Sequence, residues 1–170
     1  MTHAELYTIG HGTRKAEDFL ALLQQYHTKY LLDVRTRPYS RFNPQYNQKQ
    51  LKSFLEQNGI TYVFMGDTLG GRPNDPSVYD ITGAIDYNAL QKTNYFKEGI
   101  DRVKTALNKK LDVAIMCSER KPSECHRSRL IGRVLFDEGI KINHIDDNGA
   151  IKDQTEVMNE VRKQSGKGLF

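Results

Sequence analysis

Residues 114–127 carry the densest group of reactive side chains in the chain. The group consists of Cys117, Glu119, Cys125, His126 and Arg127. Cys125 stands beside two potential cations at the start of a predicted helix, and both the cations and the helix dipole favour a thiolate. Either cysteine is therefore a candidate nucleophile, while an inert, buried cysteine is the alternative interpretation of both.

Polar or glycine-rich residues also follow the other apolar stretches of the chain. They are Gly10 and His11, Asp33 and Arg35, Gly70, Gly71 and Arg72, and His144. In a parallel sheet, the residues that follow each strand converge at the carboxyl edge, where ligands bind. Arginines, glycines that allow close backbone approach and a helix N-terminus favour the binding of an anion there. His11 or His144 would move protons, and Asp33 and Glu119 are further candidate catalytic residues.

Metal binding is the alternative use of these side chains. A zinc ion would need the cysteines together with histidines, but Cys117 and Cys125 are further apart than the usual spacing in structural zinc sites. A magnesium ion would need the carboxylates of Asp33, Glu119 and Asp146, which are widely separated in the chain. We therefore expect no metal and no other cofactor.

The predicted elements that position these residues alternate between strand and helix. Stretches rich in β-branched and aromatic residues predict strands at 6–9, 30–34, 60–64, 111–116 and 140–145. Apolar residues at helical spacing occur around 19–26, 51–55, 100–107 and 130–135. Asn47 with Gln50, and Asp153 with Glu156, have the spacing of a helix cap and its return partner. The pattern predicts an α/β fold, a three-layer helix–sheet–helix sandwich with a mainly parallel sheet of about five strands.

Length and composition suit one domain over residues 1–170. Residues 66–87 are rich in Gly, Asp, Asn and Pro and predict a long, lid-like loop, with a solvated variable loop as the alternative. No apolar run approaches the ~20 residues that a membrane span requires. Two cysteines and a start without a basic, apolar leader lead us to expect a cytoplasmic protein.

Residues 35–42 interleave arginines with Tyr39 and Phe42 and also include Ser40. Arginines that reach phosphates beside rings that stack on bases are typical of single-strand nucleic-acid binding. The alternative is that both rings hold the loop against the body of the protein. The net charge of +4 is small for a dedicated nucleic-acid-binding protein, and no recognised binding signature is present.

The chain resembles a family of bacterial and archaeal proteins, the domain of unknown function 488. The resemblance rests on Thr8-Ile9-Gly10-His11, Asp33-Val34-Arg35 with Pro38 and Ser40, Gly59-Ile60 with Tyr62, Leu69-Gly70-Gly71, Cys117, Glu119, Cys125-His126-Arg127 and His144-Ile145. One departure is Gly12, at which we expect the family often to carry serine. The resemblance implies a fold and a set of motifs but no activity.

We therefore expect an enzyme that acts on an anionic, phosphorylated or nucleotide-like small molecule at the carboxyl edge of the sheet. Arg35 and Arg127 would clamp the anion, with Arg72, His126 and Ser40 in the same binding site. The reaction would be a hydrolysis or a group transfer, with a cysteine as the candidate nucleophile. The alternative function is a non-catalytic module that binds nucleic acid through residues 35–42. The sequence leaves the oligomeric state open.

Overall fold

A six-stranded sheet forms the centre of the protein in the computed structural model, which describes residues 5–167. The strands are β1 (Glu5–Gly10), β2 (Tyr30–Asp33), β3 (Thr61–Phe64), β4 (Val113–Cys117), β5 (Lys141–Ile145) and β6 (Ile151–Asp153). Their order across the sheet is β3-β2-β4-β1-β5-β6. The first five strands along the chain pair in parallel, and β6 pairs antiparallel with β5.

Within residues 5–167, seven α-helices connect and cover these strands. They are α1 (Ala16–Gln25), α2 (Gln48–Gln57), α3 (Gly66–Leu69), α4 (Tyr87–Leu90), α5 (Asn94–Asn108), α6 (Arg133–Asp137) and α7 (Gln154–Lys167). A π-helical segment, Arg127–Gly132, continues directly into α6. Between residues 5 and 167, no helix combines the length and the apolar composition needed to cross a membrane.

The helices form a layer on each face of the sheet. Phe19 and Leu23 of α1 and Leu51 and Leu55 of α2 belong to one apolar core. The second core, on the opposite face, includes Ile100, Val103 and Leu107 of α5 and Leu135 of α6. Both cores are built on side chains that alternate along the strands, since Leu6 belongs to one and Ile9 to the other. The predicted α/β sandwich with a mainly parallel sheet is therefore confirmed.

Two local features differ from the sequence-based expectations, and one agrees with them. Strand β6 was not predicted, and it has only three residues. Asn47 precedes α2 but does not cap it, because its Oδ1 accepts a hydrogen bond from the backbone N–H of Ser40 at 2.6 Å. The expected cap at the start of α7 is present, since Asp153 accepts a hydrogen bond from the N–H of Glu156 at 2.8 Å.

The carboxyl ends of β1, β2 and β4 lie side by side at the middle of one sheet edge. Gly10 is in register with Cys117, and Asp33 is in register with Met116. The hydrogen bonding continues beyond the strands, because the N–H of His11 donates to the carbonyl of Cys117 at 3.0 Å. This edge therefore brings together the polar residues that follow three different strands.

Candidate functional site

A cleft of about 1070 Å³ opens at this edge of the sheet. Its walls come from the loops that follow β1, β2, β4 and α3. Nine of the fourteen predicted site residues line it, namely His11, Arg35, Ser40, Gly71, Arg72, Cys117, Glu119, Cys125 and His126. The volume is at the upper end of that of ordinary small-molecule pockets, roughly 300–1,000 Å³, so the cleft can hold a ligand as large as a nucleotide.

Cys117 and Cys125 meet on the wall of the cleft, where their sulfur atoms are in contact as a disulfide. Cys117 is the last residue of β4, and Cys125 directly precedes the turn into the π-helical segment. The backbone N–H of Arg127 donates to the Sγ of Cys125 at 3.4 Å. This amide would stabilise negative charge on Cys125 when the two thiols are reduced.

His126 presents one ring nitrogen to Cys125. Its Nε2 lies 3.0 Å from the carbonyl oxygen of Leu69, which can only accept a hydrogen bond, so Nε2 carries the proton. The Nδ1 atom is then the bare nitrogen, and it lies 3.5 Å from the Sγ of Cys125. Burial lowers the pKa of His126 from 6.5 to about 4, which keeps the ring neutral at pH 7. This nitrogen can therefore accept a hydrogen bond from a Cys125 thiol.

Gly71 makes room for the His126 ring. A Cβ atom at this glycine would lie 3.0 Å from both the Cγ and the Nδ1 of His126. A larger residue would therefore press on the ring that faces Cys125.

His11 and Arg35 form a second group on the cleft wall. The Nδ1 of His11 donates to the carbonyl of Gly12 at 2.8 Å, which leaves Nε2 to accept from the Nη1 of Arg35 at 3.3 Å. Burial, together with a smaller effect of the neighbouring Arg35, lowers the pKa of His11 from 6.5 to about 4. The imidazole also stacks on the ring of Tyr46, with ring centroids 4.3 Å apart. His11 is therefore neutral and held in a fixed orientation.

Asp33 faces the interior and does not line the cleft. Its carboxylate accepts hydrogen bonds from the Nε and Nη2 of Arg35, at 2.9 and 2.8 Å, and from the hydroxyl of Tyr62 at 2.5 Å. Desolvation and the Asp33 charge raise the pKa of Tyr62, so the phenol remains protonated. The arrangement fixes the Arg35 guanidinium at the cleft and neutralises its charge, which contradicts a direct catalytic position for Asp33.

Arg127 also occupies a different position from the expected one. It is completely buried and does not line the cleft, and among residues 5–167 it pairs with no carboxylate. Its Nη2 donates to the backbone carbonyls of Glu119 and Arg120, at 3.4 and 3.0 Å. Burial lowers its pKa to about 9. The prediction that Arg127 clamps the anion is therefore wrong, because its guanidinium instead holds the loop that carries the cysteines.

His144 lies in the same buried region and is also absent from the cleft. Its Nε2 donates to the Oε1 of Gln154 at 2.6 Å, and its Nδ1 accepts from the hydroxyl of Thr8 at 2.6 Å. Burial lowers the pKa of His144 to about 4. Both ring nitrogens are occupied in the interior, so His144 cannot transfer protons to a ligand in the cleft.

Gly10 and Gly70 allow close packing of the protein with itself rather than with a ligand. A Cβ atom at Gly10 would collide with the backbone carbonyl of Glu119, and one at Gly70 would collide with the carbonyl of Gly66. Neither glycine lines the cleft. Gly10 therefore allows the cysteine loop to lie directly against the end of β1.

Fifteen other residues line the cleft, of which the sequence had assigned only those within 35–42 to a binding role, as the alternative nucleic-acid segment. They are Gly12, Thr13, Thr36, Arg37, Tyr39, Asn43, Pro73, Asn74, Asp75, Pro76, Tyr79, Ile85, Tyr87, Ser118 and Glu124. Several belong to the 66–87 loop, which folds back on itself through the hydrogen bond from the Tyr79 hydroxyl to the Pro73 carbonyl at 2.8 Å. The tyrosines in this otherwise polar loop were the sequence signal that one side of the loop packs against the protein while the other faces solvent.

Three arginines and three acidic residues line the cleft. The arginines are Arg35, Arg37 and Arg72, and the acidic residues are Asp75, Glu119 and Glu124. Asp75 is already bound to the hydroxyls of Ser77 and Tyr95, at 2.7 and 2.9 Å. In the part of the chain from 5 to 167, no ion pair involves Arg37 or Arg72. These two arginines are therefore the cations available to a ligand.

The metal alternatives find no support in the side-chain positions. Over residues 5–167, no three His, Cys, Asp or Glu side chains are grouped so that they could hold a metal ion. Asp146, one of the carboxylates considered for magnesium, accepts hydrogen bonds from the N–H groups of Asn148 and Ala150, each at 2.9 Å. It thus closes a turn through its Oδ1 atom.

Comparison with known proteins gives a family without an assigned activity. The family model described as "Domain of unknown function DUF488" matches residues 15–134, which is most of the chain. A search among curated proteins returns no match. The chain therefore belongs to the DUF488 family.

Proposed function

We propose that this DUF488 protein is a cytoplasmic, cysteine-dependent hydrolase or transferase whose substrate is a small anionic molecule bound in the cleft. The observation that carries the proposal is the environment of Cys125. Its sulfur lies on the cleft wall, 3.5 Å from the bare Nδ1 of His126 and 3.4 Å from the N–H of Arg127. A nucleophile beside a base that a third group orients is the common pattern of covalent catalysis, and here the Leu69 carbonyl orients the base.

Cys125 is a better nucleophile than Cys117 on electrostatic grounds. The sulfur of Cys125 receives a backbone N–H, which favours a thiolate. The sulfur of Cys117 faces the carbonyl oxygen of Glu119 at 3.6 Å, and this oxygen favours the protonated thiol. Contact with Cys117 gives the site a reversible resting state, the disulfide, which the reducing cytoplasm would open.

The substrate's negative charge would pair with Arg37 and Arg72, the two cleft arginines outside any ion pair of the described chain. Arg35 would contribute hydrogen bonds but little net charge, since Asp33 binds it through both carboxylate oxygens. Neutral His11, on the same wall, is available to hydrogen-bond the ligand or its leaving group.

The reaction would proceed in two displacements. In the first, the thiol proton of Cys125 moves to the Nδ1 of His126, the sulfur bonds to the electrophilic centre of the substrate, and the leaving group departs with that proton. In the second, water or another acceptor attacks the thiol-bound group, gives its proton to the leaving sulfur through His126 and restores the thiol. The net change is the exchange of one leaving group for the acceptor.

Protection against alkylation tests the proposal without knowledge of the natural substrate. Iodoacetamide modifies the reduced protein, and peptide mass analysis gives the rate at Cys125. We expect phosphate and a nucleoside monophosphate to slow that rate, while chloride at matched ionic strength does not. An Arg72→Gln variant should lose most of the protection, and Arg133→Gln, an exposed change on α6, should keep it. If no anion slows alkylation of Cys125, the thiol and the anion site are not one site and the proposal fails.

A further inference from the structure

Two aromatic side chains are exposed on a loop that borders the cleft. Tyr39 is 71% exposed and Phe42 is 87% exposed. They are three residues apart in the loop that follows β2, and Tyr39, Ser40 and Asn43 of this loop line the cleft. Single exposed apolar residues are common on protein surfaces, but a pair beside a cavity marks a binding surface more often.

The loop that carries these rings is held in place by its own hydrogen bonds. The N–H of Ser40 donates to Asn47 at 2.6 Å, the N–H of Asn43 donates to the hydroxyl of Ser40 at 3.0 Å, and the N–H of Gln48 donates to the carbonyl of Pro38 at 2.9 Å. The rings are therefore exposed by an ordered backbone. A ligand that stacks on them has less loop entropy to remove.

All charged residues of this loop are basic. Between Asp33 and Glu56 the sequence contains no acidic residue, and its cations are Arg35, Arg37, Arg41, Lys49 and Lys52. Arg37 and Arg41 are exposed and take part in no ion pair of the described residues. Arg72 adds a further unpaired cation on another wall of the cleft. Guanidinium groups thus alternate with aromatic faces along one short segment.

We propose that residues 37–42 bind a single strand of nucleic acid, with bases stacked on Tyr39 and Phe42 and phosphates paired with Arg37 and Arg41, so that one nucleotide enters the cleft. A single strand offers a planar ring and a phosphate at every step, which matches this alternation. A duplex hides its base faces, and an acidic peptide has no partner for the rings. The inference rests on the proposed function, because it names the class of anion that the cleft receives.

Fluorescence anisotropy with a labelled single-stranded oligonucleotide of about 12 residues measures this binding directly. We expect Phe42→Ala to weaken binding at least about fivefold through lost stacking. Arg37, Arg41 and the cleft residue Arg72 would each pair with a phosphate, so the logarithm of the affinity should fall with the logarithm of the salt concentration with a slope of about −2. Arg41→Gln should reduce the magnitude of that slope by about 0.7. The duplex of the same sequence should bind more weakly than the single strand.

Matched controls come from α6, which ends just before β5 begins and so lies at the opposite edge of the sheet. Phe136 is 46% exposed and Arg133 is exposed there, so Phe136→Ala and Arg133→Gln remove the same groups from a surface without the cleft. Both variants should bind the oligonucleotide as the parent does. All four changes are at exposed positions and should leave the fold intact.

Four results would overturn the inference. The first two are equal oligonucleotide binding by Phe42→Ala and Phe136→Ala, and equal affinity for the single strand and the duplex. The third is adsorption to anionic phospholipid vesicles through Phe42 without oligonucleotide binding. The fourth is a dimer in solution that Phe42→Ala dissociates. Anisotropy needs no turnover and no thiol chemistry. Strand binding by a protein whose Cys125 has no special reactivity would therefore support this inference while removing the cysteine mechanism.

Discussion

The Nη1 of Arg127 donates to the hydroxyl of Thr8, 3.0 Å away, and that hydroxyl in turn donates to His144. Through this contact a buried guanidinium joins β1 to the loop that carries the cysteines. Within the described part of the chain Arg127 pairs with no carboxylate, and its hydrogen bonds go to this hydroxyl and to backbone carbonyls at or just beyond the ends of strands. Carbonyls at the carboxyl ends of parallel strands have no further strand to pair with, and Arg127 supplies the missing donors.

Replacing Arg127 with glutamine should therefore lower stability strongly. The carbonyls of Glu119, Arg120 and Ile145 would lose their donor, at a cost of about 1–3 kcal/mol for each one that stays dry. We expect a total loss of about 2–4 kcal/mol, which corresponds to a fall in melting temperature of roughly 4–16 °C for a chain of this length. Calorimetry of the variant beside Arg133→Gln provides the measurement. A melting temperature within a degree of that control would contradict the structural role.

Stability should also fall in mild acid. The pKa values of His11, His126 and His144 are lowered by burial from 6.5 to about 4. Between pH 4 and pH 6.5 the unfolded chain binds more protons than the folded one. The free energy of unfolding therefore rises with pH across this window, and the increase is complete above pH 6.5. Urea titrations from pH 4 to pH 8 measure the curve.

A His144→Gln variant measures how much one histidine contributes to this pH dependence of stability. Glutamine keeps a donor and an acceptor but cannot be protonated, so the proton uptake on unfolding near pH 5 should fall by about one. His27→Asn, an exposed change at a residue with a φ of 59°, is the matched control. Identical curves for His144→Gln and His27→Asn would show that His144 does not titrate as the buried geometry requires.

Anions should stabilise the folded protein through the cleft. If phosphate binds with a dissociation constant near ~1 mM, then ~10 mM phosphate should add about 1.4 kcal/mol and raise the melting temperature by roughly 3–6 °C. Arg72→Gln should lose most of this shift, because Arg72 is exposed at the cleft. Arg127→Gln should keep it in whatever folded protein remains. Loss of the shift in Arg127→Gln but not in Arg72→Gln would place the anion elsewhere.

Much of this architecture follows from local sequence patterns. Apolar stretches of β-branched residues separated by helical periodicity predicted all five parallel strands, and the rule that such strands end at a common edge brought Cys117, Cys125 and His11 to one place. Strand β6 was not predicted, because three residues are too few to show a periodic pattern and only the pairing with β5 defines this strand.

The sequence did not predict the direction in which each polar side chain points. Asp33, Arg127 and His144 all lie near strand ends, but each turns inward to partners that are distant in the chain, as Arg127 does to Thr8 across 119 residues. A strand's alternation tells which face a residue occupies and not whether a polar side chain finds buried partners there. Such partners become visible only when the elements are packed together.

The pH dependence of alkylation at the two cysteines tests the central claim most directly. In the fully reduced protein, Cys125 should react with iodoacetamide faster than Cys117 near pH 7, because a backbone N–H and the Nδ1 of His126 face its sulfur while a carbonyl faces that of Cys117. His126→Gln should slow the reaction of Cys125 and leave that of Cys117 unchanged. Equal, slow rates at both cysteines that rise only as the pH approaches about 8.5, the range of a free thiol, would contradict Cys125 as the nucleophile.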